Sequence, residues 1–163
     1  MAFALRAGGL WKLYESGESV IQAVQDVSLS IKQGSMVAIM GPSGCGKTTL
    51  LNVLSGIDEP NSGTVMINGE NLYGSSDDER TRVRGKHMGF IFQEFNLLPV
   101  MTALENVELP LLIQGTPANE ARKEATKALT AVGLGDRLEH RPAELSGGQQ
   151  QRVAIARAVV HRP

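Results

Sequence analysis

Apolar positions along the chain follow two rhythms: short strand-like runs up to residue 93, then turn-spaced helical positions. Val27, Leu29 and Ile31 alternate with Ser28, Ser30 and Lys32, which predicts a strand with one wet face. Met36–Met40 is apolar throughout and predicts a strand covered on both sides. After the glycine-rich stretch that begins at Gly41, Lys47–Ser55 reads as a helix that Gly56 stops. Thr64–Ile67 before Asn68-Gly69 predicts a strand entering a tight turn, and Ser76-Asp-Asp-Glu79 is a capping box opening a short charged helix. Gly89–Phe92 predicts a further strand ending at Gln93.

From Glu94 the pattern turns helical. Thr102-Ala-Leu-Glu105 is a second capping box, and Pro110 should end or kink the helix it opens. Thr116-Pro117 places a cap and a first-turn proline before Ala121, Ala125, Leu129 and Val132, with Gly133 as the stop. Ser146 then caps a last helix in which Val153, Ala156 and Val160 share one face. Strands followed by helices give an α/β fold. Residues 1–93 and 146–163 are expected to form one core, and 94–145 a helical insert.

Composition narrows the classes. With 163 residues, 42% of them hydrophobic, the chain suits one domain with a real core. A net charge of -1 and 4% aromatics offer neither the basic patch nor the stacking platforms of a nucleic-acid binder. One cysteine excludes an internal disulfide and fits a reducing compartment. The start, MAFALRAGGLW, lacks a signal-peptide core, and no run nears the ~20 apolar residues of a spanning helix, so a soluble cytoplasmic protein is expected.

Gly41-Pro-Ser43-Gly44-Cys45-Gly46-Lys47-Thr48 satisfies G-x-x-x-x-G-K-[ST], between a buried-strand pattern and a helix pattern. Glycines let backbone wrap closely around phosphate oxygens, and the helix start adds its positive dipole end. Lys47 supplies a cation to the β- and γ-phosphates and Thr48 a hydroxyl to Mg²⁺. The alternative is a glycine turn with no ligand. Cys45 is either a small residue that fits or a thiol activated by the helix end, readily alkylated and shielded by bound nucleotide.

Leu145-Ser146-Gly147-Gly148-Gln149 carries a second such helix start, with Ser146 and Gln149 at capping-box positions. A well-capped helix is one reading. Two glycines in its first turn cost about 1 kcal/mol each relative to alanine, and what they offer is bare N–H groups for an approaching anion.

Together these residues resemble the ATP-binding-cassette (ABC) ATPases. Gly41–Thr49 matches the family's Walker A motif, and LSGGQQQRVAIARA its signature and following helix. Gln93 matches the Q-loop glutamine, and Tyr14 the aromatic that stacks on adenine. On their own, Tyr14 could simply pack and Gln93 simply end a strand. The stretch from Phe92 to Pro110 looks most like the lipoprotein-release and macrolide-export branch.

The resemblance implies a P-loop core with a parallel sheet, an N-terminal antiparallel β subdomain and a helical insert. It implies ATP and Mg²⁺ as cofactors, with Tyr14, Gly41, Ser43, Gly44, Cys45, Gly46, Lys47, Thr48, Thr49, Ser146, Gly147, Gly148 and Gln149 on the nucleotide. Thr48 and Gln93 would be on the metal, with Gln93 also serving the attacking water. It implies a second copy paired head-to-tail, a membrane-spanning subunit as partner, and a place at the inner face of the membrane.

The family's Walker B strand, catalytic glutamate and switch histidine follow the signature and are not found before Pro163. A truncated domain with impaired hydrolysis is therefore expected. Glu94 is a poor substitute base, because it lies before the signature, and His87, His140 and His161 read as surface or packing residues. A non-hydrolysing nucleotide-binding module is the competing reading. A DNA-repair type of ABC ATPase is disfavoured by the short insert.

Overall fold

Alternation and turn residues build the first part of the chain into a sheet. The computed structural model describes residues 2–17, 19–74 and 76–163. Strands β1 (Phe3–Ser16) and β2 (Ser19–Lys32) pair antiparallel over 14 residues each. Strands β3 (Ser62–Ile67) and β4 (Glu70–Asn71) complete a sheet of order β2-β1-β3-β4. Val27, Leu29 and Ile31 are half-buried while Ser28, Ser30 and Lys32 are exposed, as the alternation requires. The β1–β2 register slips between Ala7 and Leu10, where Gly9 and Asp26 take φ of 58° and 45°, and such bulges bend long strands. Asn68 and Gly69 have φ of 48° and 87°, the two positive values a tight hairpin turn needs.

Helix α1 (Lys47–Ser55) ends at Gly56 in the left-handed region, as expected. Helix α2 (Asp77–His87) opens with the Glu79 N–H donating to Ser76 Oγ at 3.4 Å. Leu10, Val53, Val65, Leu72 and Val83 are fully buried in this part of the chain.

The chain divides into two compact units, Met1–Arg84 and Gly85–Pro163. In the second, α3 (Ala103–Ile113), α4 (Ala118–Ala131) and α5 (Gly147–Val159) pack around Leu104, Val107, Leu129, Leu134, Val153 and Ala156. Thr102 and Glu105 form the expected capping box. The buried Asn106 amide donates to the carbonyls of Leu98, Met101 and Thr102, and its oxygen accepts from the Leu98 N–H, which fixes the loop before α3.

Three local expectations are corrected, and one of the two outcomes expected at Pro110 is excluded. Pro110 does not end α3, which runs on to Ile113. So near the end of the helix, a proline costs little of the ladder. Thr116 is not the cap of α4. Its N–H closes onto Leu111 O at 3.0 Å, and Pro117 stands at the cap position instead. Met36–Met40 and Gly89–Phe92 are not strands, and Met36 and Met40 are 101% and 88% exposed. The Phe90 and Phe92 rings stack at 5.9 Å, as alternate residues of an extended segment do, but an extended segment becomes a strand only through ladder hydrogen bonds. Among the described residues every strand pair is antiparallel, so the parallel sheet is not formed there. The α/β class, with its N-terminal antiparallel sheet and helical part, stands.

Candidate nucleotide site

The loop between β2 and α1 is shaped by its glycines. Gly44 and Gly46 take φ of 78° and 88°. A Cβ on Gly46 would lie 2.2 Å from Ala23 O, so only glycine lets the loop press against β2 there. Gly46 is also the N-cap of α1, and it has no side chain to satisfy the first-turn N–H groups. Lys47 donates from Nζ to Gly41 O at 2.9 Å and Pro42 O at 2.7 Å, and it reaches Cys45 Sγ at 3.6 Å. Cys45 is exposed. Ser43 and Thr48 are exposed too, and Thr49 is half-buried. A cavity of about 320 Å³ opens beside the loop, lined by Val24, Ile39, Cys45, Gly46, Lys47 and Leu50 among others.

Tyr14 is brought to the same unit by β1. Its hydroxyl donates to Asp58 Oδ2 at 2.5 Å, with the Thr49 hydroxyl also beside it. The hydrogen bond to Asp58 raises the Tyr14 pKa above the ordinary phenol value. Lys12 lies over the ring at 4.9 Å and pairs with Asp58 Oδ1 at 2.6 Å. Sequence reasoning missed Asp58 and Lys12, whose hydrogen bonds span 44 and 46 positions and leave no local signal.

In the second unit Leu145 is buried and anchors the start of α5, leaving Ser146, Gly147 and Gly148 exposed. Ser146 Oγ accepts from the Gln149 N–H at 3.3 Å, and Gln149 Oε1 accepts from the Ser146 N–H at 2.8 Å. The Gln150 amide fixes the preceding turn (Pro142–Glu144) by donating to Pro142 O and Leu145 O. A Cβ on Gly147 or Gly148 would meet nothing within 4 Å, and neither has positive φ, so no contact within the chain calls for glycine at either place.

Gln93 is exposed in a turn before Phe95 and Asn96, whose φ values are 61° and 46°. Arg157 of α5 holds those two strained residues, donating to Phe95 O and Asn96 O at 2.7 Å each. Burial lowers its pKa below the ordinary guanidinium value. Arg157, a third residue that sequence reading missed, lies more than 60 positions from the loop it grips. Glu94 is exposed, His140 lies against Arg137, and His161 Nε2 faces Met88 O at 3.0 Å.

One contrast sets two helices apart. Helices α2, α3 and α4 carry acidic residues in their first turns: Asp77, Asp78 and Glu79; Glu105; and Glu120. Among the described residues, α1 and α5 carry none. Their positive ends are left unneutralised, and an anion is the species that would complete them.

A glycine-wrapped loop with its lysine, and a second unscreened helix start with the signature residues, define a cassette-type nucleotide-binding domain. The chain belongs to the ABC transporter family, whose pattern matches residues 24–163. It is 51% identical to an uncharacterised ABC transporter ATP-binding protein of Thermotoga maritima, over 94% of this chain and 66% of that one. It is also 51% identical to the lipoprotein-releasing system ATP-binding protein LolD of Pseudomonas fluorescens, over 94% and 68%. Macrolide export ATP-binding/permease protein MacB 1 of Yersinia pestis is 46% identical over 99% of this chain and 25% of its own length. The chain thus spans about two thirds of the first two relatives and a quarter of the third. Among solved structures, the dimeric post-hydrolysis state of the ATP-binding cassette MJ0796 bound to ADP and Pi matches with a TM-score of 0.90 and 45% identity, covering 98% of this chain and 70% of that one.

Proposed function

We propose that the chain is the ATP-binding part of an ABC transporter of the lipoprotein-release and macrolide-export type. In this reading it couples ATP binding and hydrolysis to movement of a membrane-spanning subunit. The observation that carries it is the pair of helices, α1 and α5, whose starts, alone among the α-helices of the described residues, hold no acidic residue and whose glycines leave room for a phosphate. Gly41–Thr49 wraps the triphosphate, Lys47 exchanges its loop carbonyls for β- and γ-phosphate oxygens, and Tyr14 stacks on the adenine. Ser146–Gln149 faces the ATP of a second copy, so two copies pair head-to-tail. For this, residues 1–93 and 146–163 act together as the core, and 94–145 as the helical part.

Thr48 in the first unit and Gln93 in the second each offer a hard oxygen donor of the kind Mg²⁺ takes. Among the described residues no group of three or more His, Cys, Asp or Glu could hold a metal outright, so the ion would take its other ligands from phosphate and water. When bound, it neutralises charge on the transferring phosphoryl group. Gln93 orients the attacking water from the turn that Arg157 holds. Residues 1–163 by themselves are expected to bind ATP and release phosphate slowly, since no residue among them is assigned as the base.

No helix among the described residues is long and apolar enough to cross a membrane. The proposed place is peripheral, at the cytoplasmic face, through the membrane subunit. The test is separation of binding from pairing. Lys47→Ala should abolish ATP-dependent thermal stabilisation, whereas Gly148→Glu should keep it and lose ATP-dependent dimerisation. A Gly148→Glu protein that dimerises with ATP as the wild type does would refute the head-to-tail reading.

A further inference from the structure

The Tyr14 ring is held at its tip and over one face. Its hydroxyl donates to Asp58 Oδ2 at 2.5 Å, and the other carboxylate oxygen accepts from Lys12 Nζ at 2.6 Å. The Lys12 ammonium also donates to Glu59 O at 2.7 Å and lies 4.9 Å from the ring centroid. Asp58 is itself a fixed post. Its N–H and that of Ile57 both donate to Asn52 O at the end of α1, and the Tyr73 hydroxyl reaches Asp58 O at 2.7 Å. The Lys12 side chain is only 12% exposed, while Tyr14 is 38% exposed. The carboxylate responds to this setting: burial pushes its pKa up, but the bonds from Lys12 and Tyr14 outweigh burial and leave it below the ordinary value.

We infer that Asp58, with Lys12, is a positioning residue for the nucleobase. It locks the plane of the Tyr14 ring so that a purine stacks on the face opposite the Lys12 ammonium. A phenol ring joined to its strand through a single side chain turns about two bonds, and stacking needs one of those orientations. The Asp58 bond selects it before the ligand arrives, which lowers the ordering cost of binding. One rigid helix, α1, carries the phosphate loop at its start and the Asp58 post just past its end, so base platform and phosphate grip keep a fixed spacing. This inference rests on the reading of Tyr14 as the base-stacking residue.

The two are separated by measuring affinities of the full chain for ATP and for inorganic tripolyphosphate, which shares the phosphates but has no base. Asp58→Asn is expected to weaken ATP about fivefold and leave tripolyphosphate unchanged; Tyr14→Ala should weaken ATP about tenfold or more, again sparing tripolyphosphate. Tyr14→Phe should also weaken ATP and spare tripolyphosphate, and adding Asp58→Asn to it should cost less than Asp58→Asn costs alone, because the hydroxyl bond is already gone and only the hold on Lys12 remains to lose. This second variant keeps the question open to measurement even if Asp58→Asn folds poorly. If Tyr14→Ala weakens ATP while Tyr14→Phe and Asp58→Asn do not, the positioning inference is overturned and the stacking reading stands. If Tyr14→Ala leaves ATP affinity intact, the stacking reading itself is wrong. Equal loss of ATP and tripolyphosphate in Asp58→Asn reveals a general structural role and also overturns the inference.

Discussion

Replacing both glycines at the start of α5 by alanine should make the protein more stable and worse at pairing. Gly147 and Gly148 are exposed, lie in the first turn of the helix without positive φ, and have open space where a Cβ would go. Neither strain nor clash opposes alanine, so each change gains helix propensity, up to about 1 kcal/mol. The pair together should gain about 1–2 kcal/mol. For a chain of this size each kcal/mol raises Tm by about 2–4 °C. Two methyl groups on the exposed helix start would at the same time stand where, in the proposed head-to-tail pair, the phosphate of the second copy's ATP would approach. Thermal denaturation followed by circular dichroism reads the first effect, and sedimentation velocity with and without ATP the second. A Tm that falls or stays level would show that the glycines serve the chain's own packing. A raised Tm with unchanged ATP-dependent association would show that no anion comes close there.

Three further outcomes follow from the geometry. Gly46→Ala places a Cβ 2.2 Å from Ala23 O at φ 88°, so it should cost about 2 kcal/mol or more in urea denaturation and abolish the ATP-induced thermal shift. Arg157→Met removes both bonds to the strained Phe95–Asn96 turn and should cost about 2–3 kcal/mol, with amide exchange accelerated around Gln93 and unchanged in α4. Glu108 is buried on α3, and burial raises its pKa against the opposing pull of Arg122. A raised folded-state pKa means that its contribution to stability is largest below the unfolded value and declines as pH rises through the folded one. Glu108→Gln should therefore be the more stable protein at neutral pH, with the difference from wild type shrinking as pH falls through the raised folded-state pKa of Glu108, measured by denaturant titration across pH.

Features set by neighbouring residues were legible in the sequence. The capping boxes at Thr102 and Ser146, the stops at Gly56 and Gly133, and the Asn68-Gly69 turn all depend on residues within one helical turn. The glycine-rich starts of α1 and α5 belong to the same class, because glycine content and the lack of first-turn acids are local. Strand β1 was not read. Its pattern is broken by the slip around Gly8 and Gly9, and its pairing is set by strands elsewhere in the chain. Met36–Met40 and Gly89–Phe92 show the opposite error, since an apolar run says which surfaces want covering, and ladder partners alone make a strand. The Asp58–Lys12–Tyr14 cluster and the Arg157 grip are long-range polar contacts, and periodicity carries no trace of them.

The self-contacts of Lys47 change what its loop selects. An ammonium already donating to Gly41 O and Pro42 O makes ligand capture a competition, in which an incoming oxygen must outbid two neutral carbonyls. A singly charged anion such as chloride gains little from that exchange, whereas a chain of phosphates replaces both acceptors with charged ones and adds contacts to the glycine backbone. In the proposed role the loop would thus set a valence threshold, discriminating by how many charges arrive together, before the shape of the base is consulted at all.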